Sequence, residues 1–410
     1  MAKMKNVVVF GDNLSDIGNR WIWPTERSGR SPGTLCVNES GRFSDGKNWT
    51  DFLVEWSTGD ALMWGNSDLT IRKSADYRTL SRHSVLDVDP GDEPPEMRPW
   101  RSLDAYAYVG HPGDDSGWER RPTPTPQQIR YVNYAMGGCV VSRDRAFTRG
   151  LGSLSCLRGQ VEDYLAQRSF LGAEFDGPTL HVLWAGLNDF VTVERPDHDR
   201  TKARNLPSTN DYTAWQTWSR DHPEESEDGV GAFPAVAETR SLIESIVSDS
   251  PGVEADQYFM VVDLPNVYGG APVIDRYNAL LASLVADWPR GVGAPAQGHV
   301  HLVTMSKWMA HVGRDPTNWQ LSSESQPAGI RPFYDARMPS VPDRDPVPTE
   351  VRRCATTSDP RHPTQAVHSL MARYFVAALL KSGHALGRLD NDTCPLESPL
   401  SALPLDIPTT

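Results

Sequence analysis

The run Asn6-Val7-Val8-Val9-Phe10, followed at once by Gly11-Asp12-Asn13-Leu14-Ser15-Asp16-Ile17-Gly18-Asn19, constrains the fold more than any other stretch of the chain. Val7 to Phe10 are β-branched or aromatic with no polar alternation, the pattern of a strand covered on both faces, and such strands belong to parallel sheets flanked by helices. Gly11 ends the run and opens a turn from which a helix is expected to start, with Ser15 as its cap. The turn therefore sits at the carboxyl end of a strand. In open α/β sheets ligands bind along that edge, where backbone N–H groups at a helix start can hold developing negative charge.

The rest of the chain repeats the alternation. Thr179 to Ala185, Gln257 to Asp263 and His299 to Met305 read as strands. Helical spacing places Trp49, Phe52, Leu53 and Trp56 on one face, and helices are expected from Leu154 to Ala166, from Pro234 onward, from Ala271 to Trp288, and through Val367 and Leu379 to a stop near Gly383. A β-α-β-α order implies parallel strands with right-handed crossovers, hence a three-layer α/β/α sandwich. Residues 57–128 and 191–231 are polar and lack periodicity, so they read as insertions into a single domain spanning 1–388, followed by a Pro-rich tail over 389–410. Trp100, Tyr106 and Tyr108 in the first insertion favour a packed lid.

Composition excludes some partners. The net charge is −13 with no long Lys/Arg run, which argues against nucleic acid. No stretch approaches the ~20 apolar residues of a membrane helix. The first ten residues do not resemble a signal peptide, so a cytoplasmic, reduced chain is expected. Cys36, Cys139, Cys156, Cys354 and Cys394 contain no CxxC pair, which does not support a metal site, although one or two disulfides stay open, with Cys354 and Cys394 in loop-like surroundings. His198, between Asp197 and Asp199, reads as charged loop for want of a second ligand at metal spacing. No cofactor is expected, and the oligomeric state is not legible.

Four blocks carry chemistry: the first turn; Asn133-Tyr134-Ala135-Met136-Gly137-Gly138; Gly186-Leu187-Asn188-Asp189; and Asp359-Pro360-Arg361-His362-Pro363-Thr364, just before the final helix, with Gly41-Arg42-Phe43-Ser44-Asp45-Gly46 lying between the first two. Alone, each is ordinary turn chemistry. Together and in this order they resemble the GDSL, or SGNH, hydrolases, in their plant and fungal branch. The resemblance implies a flavodoxin-like sheet of about five strands. It makes His362 a general base oriented by Asp359. Gly138, Asn188 and the backbone N–H at Asn13 become an oxyanion hole, with Asp12 in the substrate-binding set.

The chain departs from that family where it matters most, because Asn13 stands where the family has its nucleophilic serine. A carboxamide cannot be deprotonated by a histidine to give an oxygen nucleophile. Three readings stay open. One is an enzyme without covalent catalysis, with His362 as base and the hole stabilising an enolate or alkoxide in cyclisation, isomerisation, elimination or water-mediated hydrolysis. Another is an ordinary carboxylesterase or acyl hydrolase in a Ser-to-Asn variant, and the third is a silent ligand-binding protein. The expected partner is a small apolar organic molecule or ester.

Overall fold

Val7, Val8, Val9 and Phe10 are all fully buried, so both faces of the first apolar run are covered, as its lack of alternation requires. The computed structural model describes residues 2–17, 42–58, 129–141, 147–148, 152–153, 155–171, 177–191, 211–221, 231–250, 256–266, 272–288, 299–319, 321–325, 354–357, 362–387 and 389. In chain order the first elements are β1 (Ala2–Met4), β2 (Asn6–Gly11), α1 (Trp49–Thr58), β3 (Arg130–Asn133), β4 (Phe147–Thr148), β5 (Gly152–Ser153), α2 (Leu157–Leu171), β6 (Thr179–Trp184), α3 (Leu187–Val191) and α4 (Tyr212–Asp221). They continue with α5 (Ala232–Ser248), β7 (Gln257–Val262), α6 (Pro272–Ala286), β8 (His299–Val303), α7 (Met305–Arg314), β9 (Ser322–Ser325), β10 (Cys354–Thr356), α8 (Gln365–Lys381) and β11 (His384–Leu386).

The fold is mixed α/β. Five strands form one sheet in the order β3-β2-β6-β7-β8, and every neighbouring pair is parallel. Chain direction across the sheet reverses at β2, whose neighbours are β3 on one side and β6 on the other. That makes the carboxyl ends of β2 and β6 a topological switch point, where α/β sheets bind ligands. The register pairs Gly11 with Trp184, so the turns after β2 and β6 leave the sheet side by side.

Different helices cover the two faces. His181 and Trp184 lie three apart in β6 and so point to opposite faces. Tyr164 of α2 meets the His181 ring edge-on, with centroids 5.4 Å apart. Trp49 of α1 lies 5.8 Å from Trp184 and 4.8 Å from Phe375 of α8. Helix α5 packs on α2, α4 and α6, and α7 packs on α8.

Several expectations change. No helix opens directly after Gly11: Asn13, Leu14 and Ser15 form a turn, and Ser15 is a fully buried acceptor for the Trp49 indole N–H at 3.0 Å rather than a cap. The strand expected over His299 to Met305 ends at Val303, because Met305, Trp308 and Val312 have helical spacing and bury one face of α7. The second insertion contains α4, whose Tyr212 and Trp215 pack on Phe233 of α5 at 5.5 and 6.1 Å. Boundaries shift elsewhere: α2 begins at Leu157, α5 at Ala232 and α6 at Pro272. The lid expected around Trp100, Tyr106 and Tyr108, the tail beyond Leu389, and Cys36 and Cys394 lie outside the described residues. Cys139, Cys156 and Cys354 form no disulfide among the described residues. Among the described residues no helix is long and apolar enough to cross a membrane.

Candidate active site

The turn after β2 is fixed from below by α2. Gln160 accepts the Gly11 N–H with Oε1 and donates Nε2–H to the Gly11 carbonyl, both at 2.9 Å. A Cβ at residue 11 would stand 2.6 Å from the Trp184 carbonyl oxygen, so the close approach of β2 and β6 demands glycine there. Beyond it, the Ser15 and Asp16 N–H groups donate to the Asp12 carbonyl, and the Leu14 N–H donates to Asp12 Oδ1 at 3.2 Å. Asn13 is left at the tip of the turn.

The loop after β3 is laced to that turn. Met136 N–H donates to the Gly11 carbonyl at 3.0 Å, Gly137 N–H to Asp16 Oδ2 at 2.7 Å, and Asn133 Nδ2 to the Ser15 carbonyl at 2.8 Å. Gly138 takes φ 79°, the left-handed region that favours glycine, and its N–H faces Asn13. From β6 the chain passes through Gly186, φ 131°, into α3, where Asp189 Oδ2 accepts the Val141 N–H at 2.8 Å and ties this third turn to the second.

These constraints bring Asn13, Gly138, Asn188 and His362 together. Asn13 Oδ1 accepts the Gly138 N–H at 2.6 Å, and Asn188 Nδ2 approaches it at 3.4 Å. Asn188 Nδ2 also donates to the Cys139 carbonyl at 3.1 Å and lies 3.4 Å from Asp12 Oδ2. Asn13 Nδ2 lies 3.0 Å from His362 Nε2. The amide orientation is set by its partners, since a flip would put NH2 against the Gly138 N–H and the Asn188 amide. His362 Nε2 is therefore the acceptor, and the neutral imidazole carries its proton on Nδ1. Asp359, expected to hold that Nδ1–H, lies outside the described residues.

His362 is positioned by a block whose role the sequence reading left as turn chemistry. The Phe43 ring lies 5.1 Å from the imidazole. Asp45 Oδ1 accepts the Gln365 N–H at the start of α8, and Lys47 N–H donates to Gln365 Oε1 at 3.0 Å. The block is anchored by Arg42, fully buried, whose guanidinium grips Asp51 at 2.6 and 3.1 Å and the Ile17 carbonyl at 2.6 Å. On the other side, His362 O accepts the Thr357 N–H, and Thr364 Oγ1 donates to the Cys354 carbonyl. Gln160 and Phe43 were the functional neighbours the sequence did not single out; Phe43 sat inside a quoted block, whereas a lone Gln in a helix carries no local signal.

Burial sets the electrostatics. It pushes the Asp12 carboxyl up to about 7, against the Leu14 N–H and with help from the nearby Asp189 charge. Burial likewise raises the Cys139 thiol well above its ordinary value, so this neighbour is an inert sulfur rather than a substitute nucleophile. Ser15 is equally occupied by Trp49.

A cavity of about 580 Å³ abuts the site. Leu14, Leu187 and Pro363, each the chain neighbour of a site residue, line it together with Trp308, Val312 and Leu321. Its wall is mainly apolar. Among the described residues no group of three or more His, Cys, Asp or Glu is arranged to hold a metal ion. No family model matches the chain, and no match was found among curated proteins.

Proposed function

We propose that the chain is an SGNH-hydrolase-like enzyme that works without a serine nucleophile. His362 is its general base, and the Gly138 N–H and the Asn188 amide, with the backbone N–H of Asn13, are its oxyanion donors. Asp359 is assigned to the His362 Nδ1–H by the resemblance, and Asp12 helps to hold Asn188. The observation that carries the reading is the fit of the Asn13 amide itself: its carbonyl oxygen meets the Gly138 N–H while its nitrogen faces His362 at 3.0 Å. A substrate carbonyl entering as Asn13 rotates aside would meet the same donors, with the imidazole Nε2 placed to take a proton. The apolar cavity beside Leu14 and Pro363 favours a small organic substrate or ester with a hydrophobic portion. The reaction classes are cyclisation, isomerisation, elimination or water-mediated hydrolysis.

The test is turnover by the folded protein and by His362→Ala and His362→Gln, on a panel of esters, lactones and enolisable carbonyl compounds. Loss of a positioned base is expected to cost on the order of 10²–10⁴ in rate. Turnover that survives both substitutions unchanged refutes the assignment. One observation favours the ligand-binding reading instead: the Asn13 amide already satisfies both the Gly138 N–H and the His362 lone pair. That reading expects ligand affinity without turnover.

A further inference from the structure

The side chain of Asn13 is held as an amide substrate would be. Its carbonyl oxygen takes the Gly138 N–H at 2.6 Å with Asn188 Nδ2 at 3.4 Å, and its nitrogen, the leaving group of amide hydrolysis, is the atom that faces His362 Nε2 at 3.0 Å. An oxyanion formed at Oδ1 would meet donors already in place, and a protonated imidazole would stand next to the departing nitrogen. We propose that the site hydrolyses the side-chain amide of its own Asn13, converting residue 13 to aspartate and releasing ammonia.

The step balances with one water. The Asn13 N–H first yields the Nε2 lone pair to the water; His362 Nε2 then takes a proton from the water as its oxygen bonds to Asn13 Cγ, and the carbonyl electron pair moves onto Oδ1. That pair then returns, the Cγ–Nδ2 bond breaks, and His362 gives its proton to the leaving nitrogen. The products are the residue 13 carboxyl group and ammonia, with the imidazole restored. Attack by the backbone nitrogen of Leu14, the usual route of asparagine loss through a cyclic imide, is disfavoured because its N–H is engaged by Asp12 Oδ1 at 3.2 Å. Asn13 is half-buried, and its chain neighbour Leu14 lines the cavity. The product carries an oxygen nucleophile at the position where an amide has none.

The inference borrows the base and the donors of the proposed function but not its external substrate. Freshly purified protein is incubated at neutral pH in water enriched in heavy oxygen, digested, and the peptide holding residue 13 is read by mass spectrometry. Asn133 and Asn188 serve as internal controls in the same digest. The expected result is aspartate at 13 carrying the heavy oxygen, formed at least on the order of 10²-fold faster than in urea-unfolded chain or in folded His362→Gln. If His362→Gln does not fold, Asn188→Leu, which removes one donor, is expected to slow conversion by on the order of 10²–10³-fold. Retention of the Asn13 amide to the same extent as the two controls overturns the proposal. So does conversion at equal rates in folded and unfolded chain, or isoaspartate at 13, which marks the Leu14 route. Turnover of external substrate is scored separately: a chain that keeps its amide yet loses turnover on His362→Gln retains the proposed function and loses this inference.

Discussion

At residue 13 a carboxamide and a hydroxyl lead to different chemistry in the same surroundings. The amide fills the space between Gly138 and His362 and uses the imidazole lone pair for an N–H it will not release as a proton. A serine there is shorter, leaves the Gly138 N–H open to a substrate oxygen, and gives Nε2 an O–H to deprotonate. Asn13→Ser is therefore expected to gain activity on small activated esters over the parent chain, and the gain should vanish in Asn13→Ser combined with His362→Ala. A folded Asn13→Ser protein that is silent on a broad ester panel would show that the pocket is shaped for another reaction.

At the scale of elements, the site is three strand-end turns and one loop held in place by groups remote from the chemistry. The clearest of these is the Arg42–Asp51 pair, with both side chains fully buried and the contact bidentate. Removing one partner of such a pair leaves an uncompensated buried charge and typically costs about 3–5 kcal/mol. Arg42→Ala is expected to destabilise by that amount in denaturant unfolding and, short of unfolding, to loosen the Phe43 contact with His362; a change under about 1 kcal/mol would mean that the pair is hydrated and not what anchors the block. This dependence also explains what was legible in the sequence. β2 and β6 were readable because each is a short, largely apolar and β-branched or aromatic run closed by a glycine turn. The helix after them was not, since whether Ser15 caps a helix or accepts from Trp49 depends on where α1 lands. Helix α4 hid in a polar span because its apolar signal, Tyr212 and Trp215, is short and flanked by charge. The meeting of Asn13, Gly138, Asn188 and His362 was expected only through the four-block resemblance, because nothing local to a Gly-Gly or an Asn-Asp turn says which other turn it will touch. The grip of Gln160 on Gly11 had no local signature at all.

Across the whole molecule, the core holds imidazoles and carboxyls whose ionisation opposes burial, and the two kinds act in opposite directions with pH. Burial lowers His181 and His368 to about 3, and lowers His384 to about 4 with help from His301. Each is depressed below the value of about 6.5 expected when unfolded. The unfolded chain therefore binds more protons, and the stability these groups contribute, complete above about 6.5, is lost as pH falls toward the folded values. Asp12 and Asp263, raised by burial to about 7 and about 6, work the other way: their contribution is complete below the unfolded carboxylate value and is lost as pH rises through the folded one. The wild-type slope is a partial cancellation, so a single substitution is the sharper probe. His181 stacks on Phe259 at 4.8 Å, with its Nε2 2.9 Å from Gln257 Oε1, and a phenyl ring can keep the stack without titrating. In His181→Phe the unfolding free energy between about pH 4 and 6 is expected to depend on pH less steeply in the acid-destabilising sense, by about 1.4 kcal/mol per pH unit, one proton's worth. Denaturant melts at stepped pH measure it. Equal slopes in the two proteins would mean that His181 is protonated inside the fold and that its Gln257 partner accepts from an imidazolium.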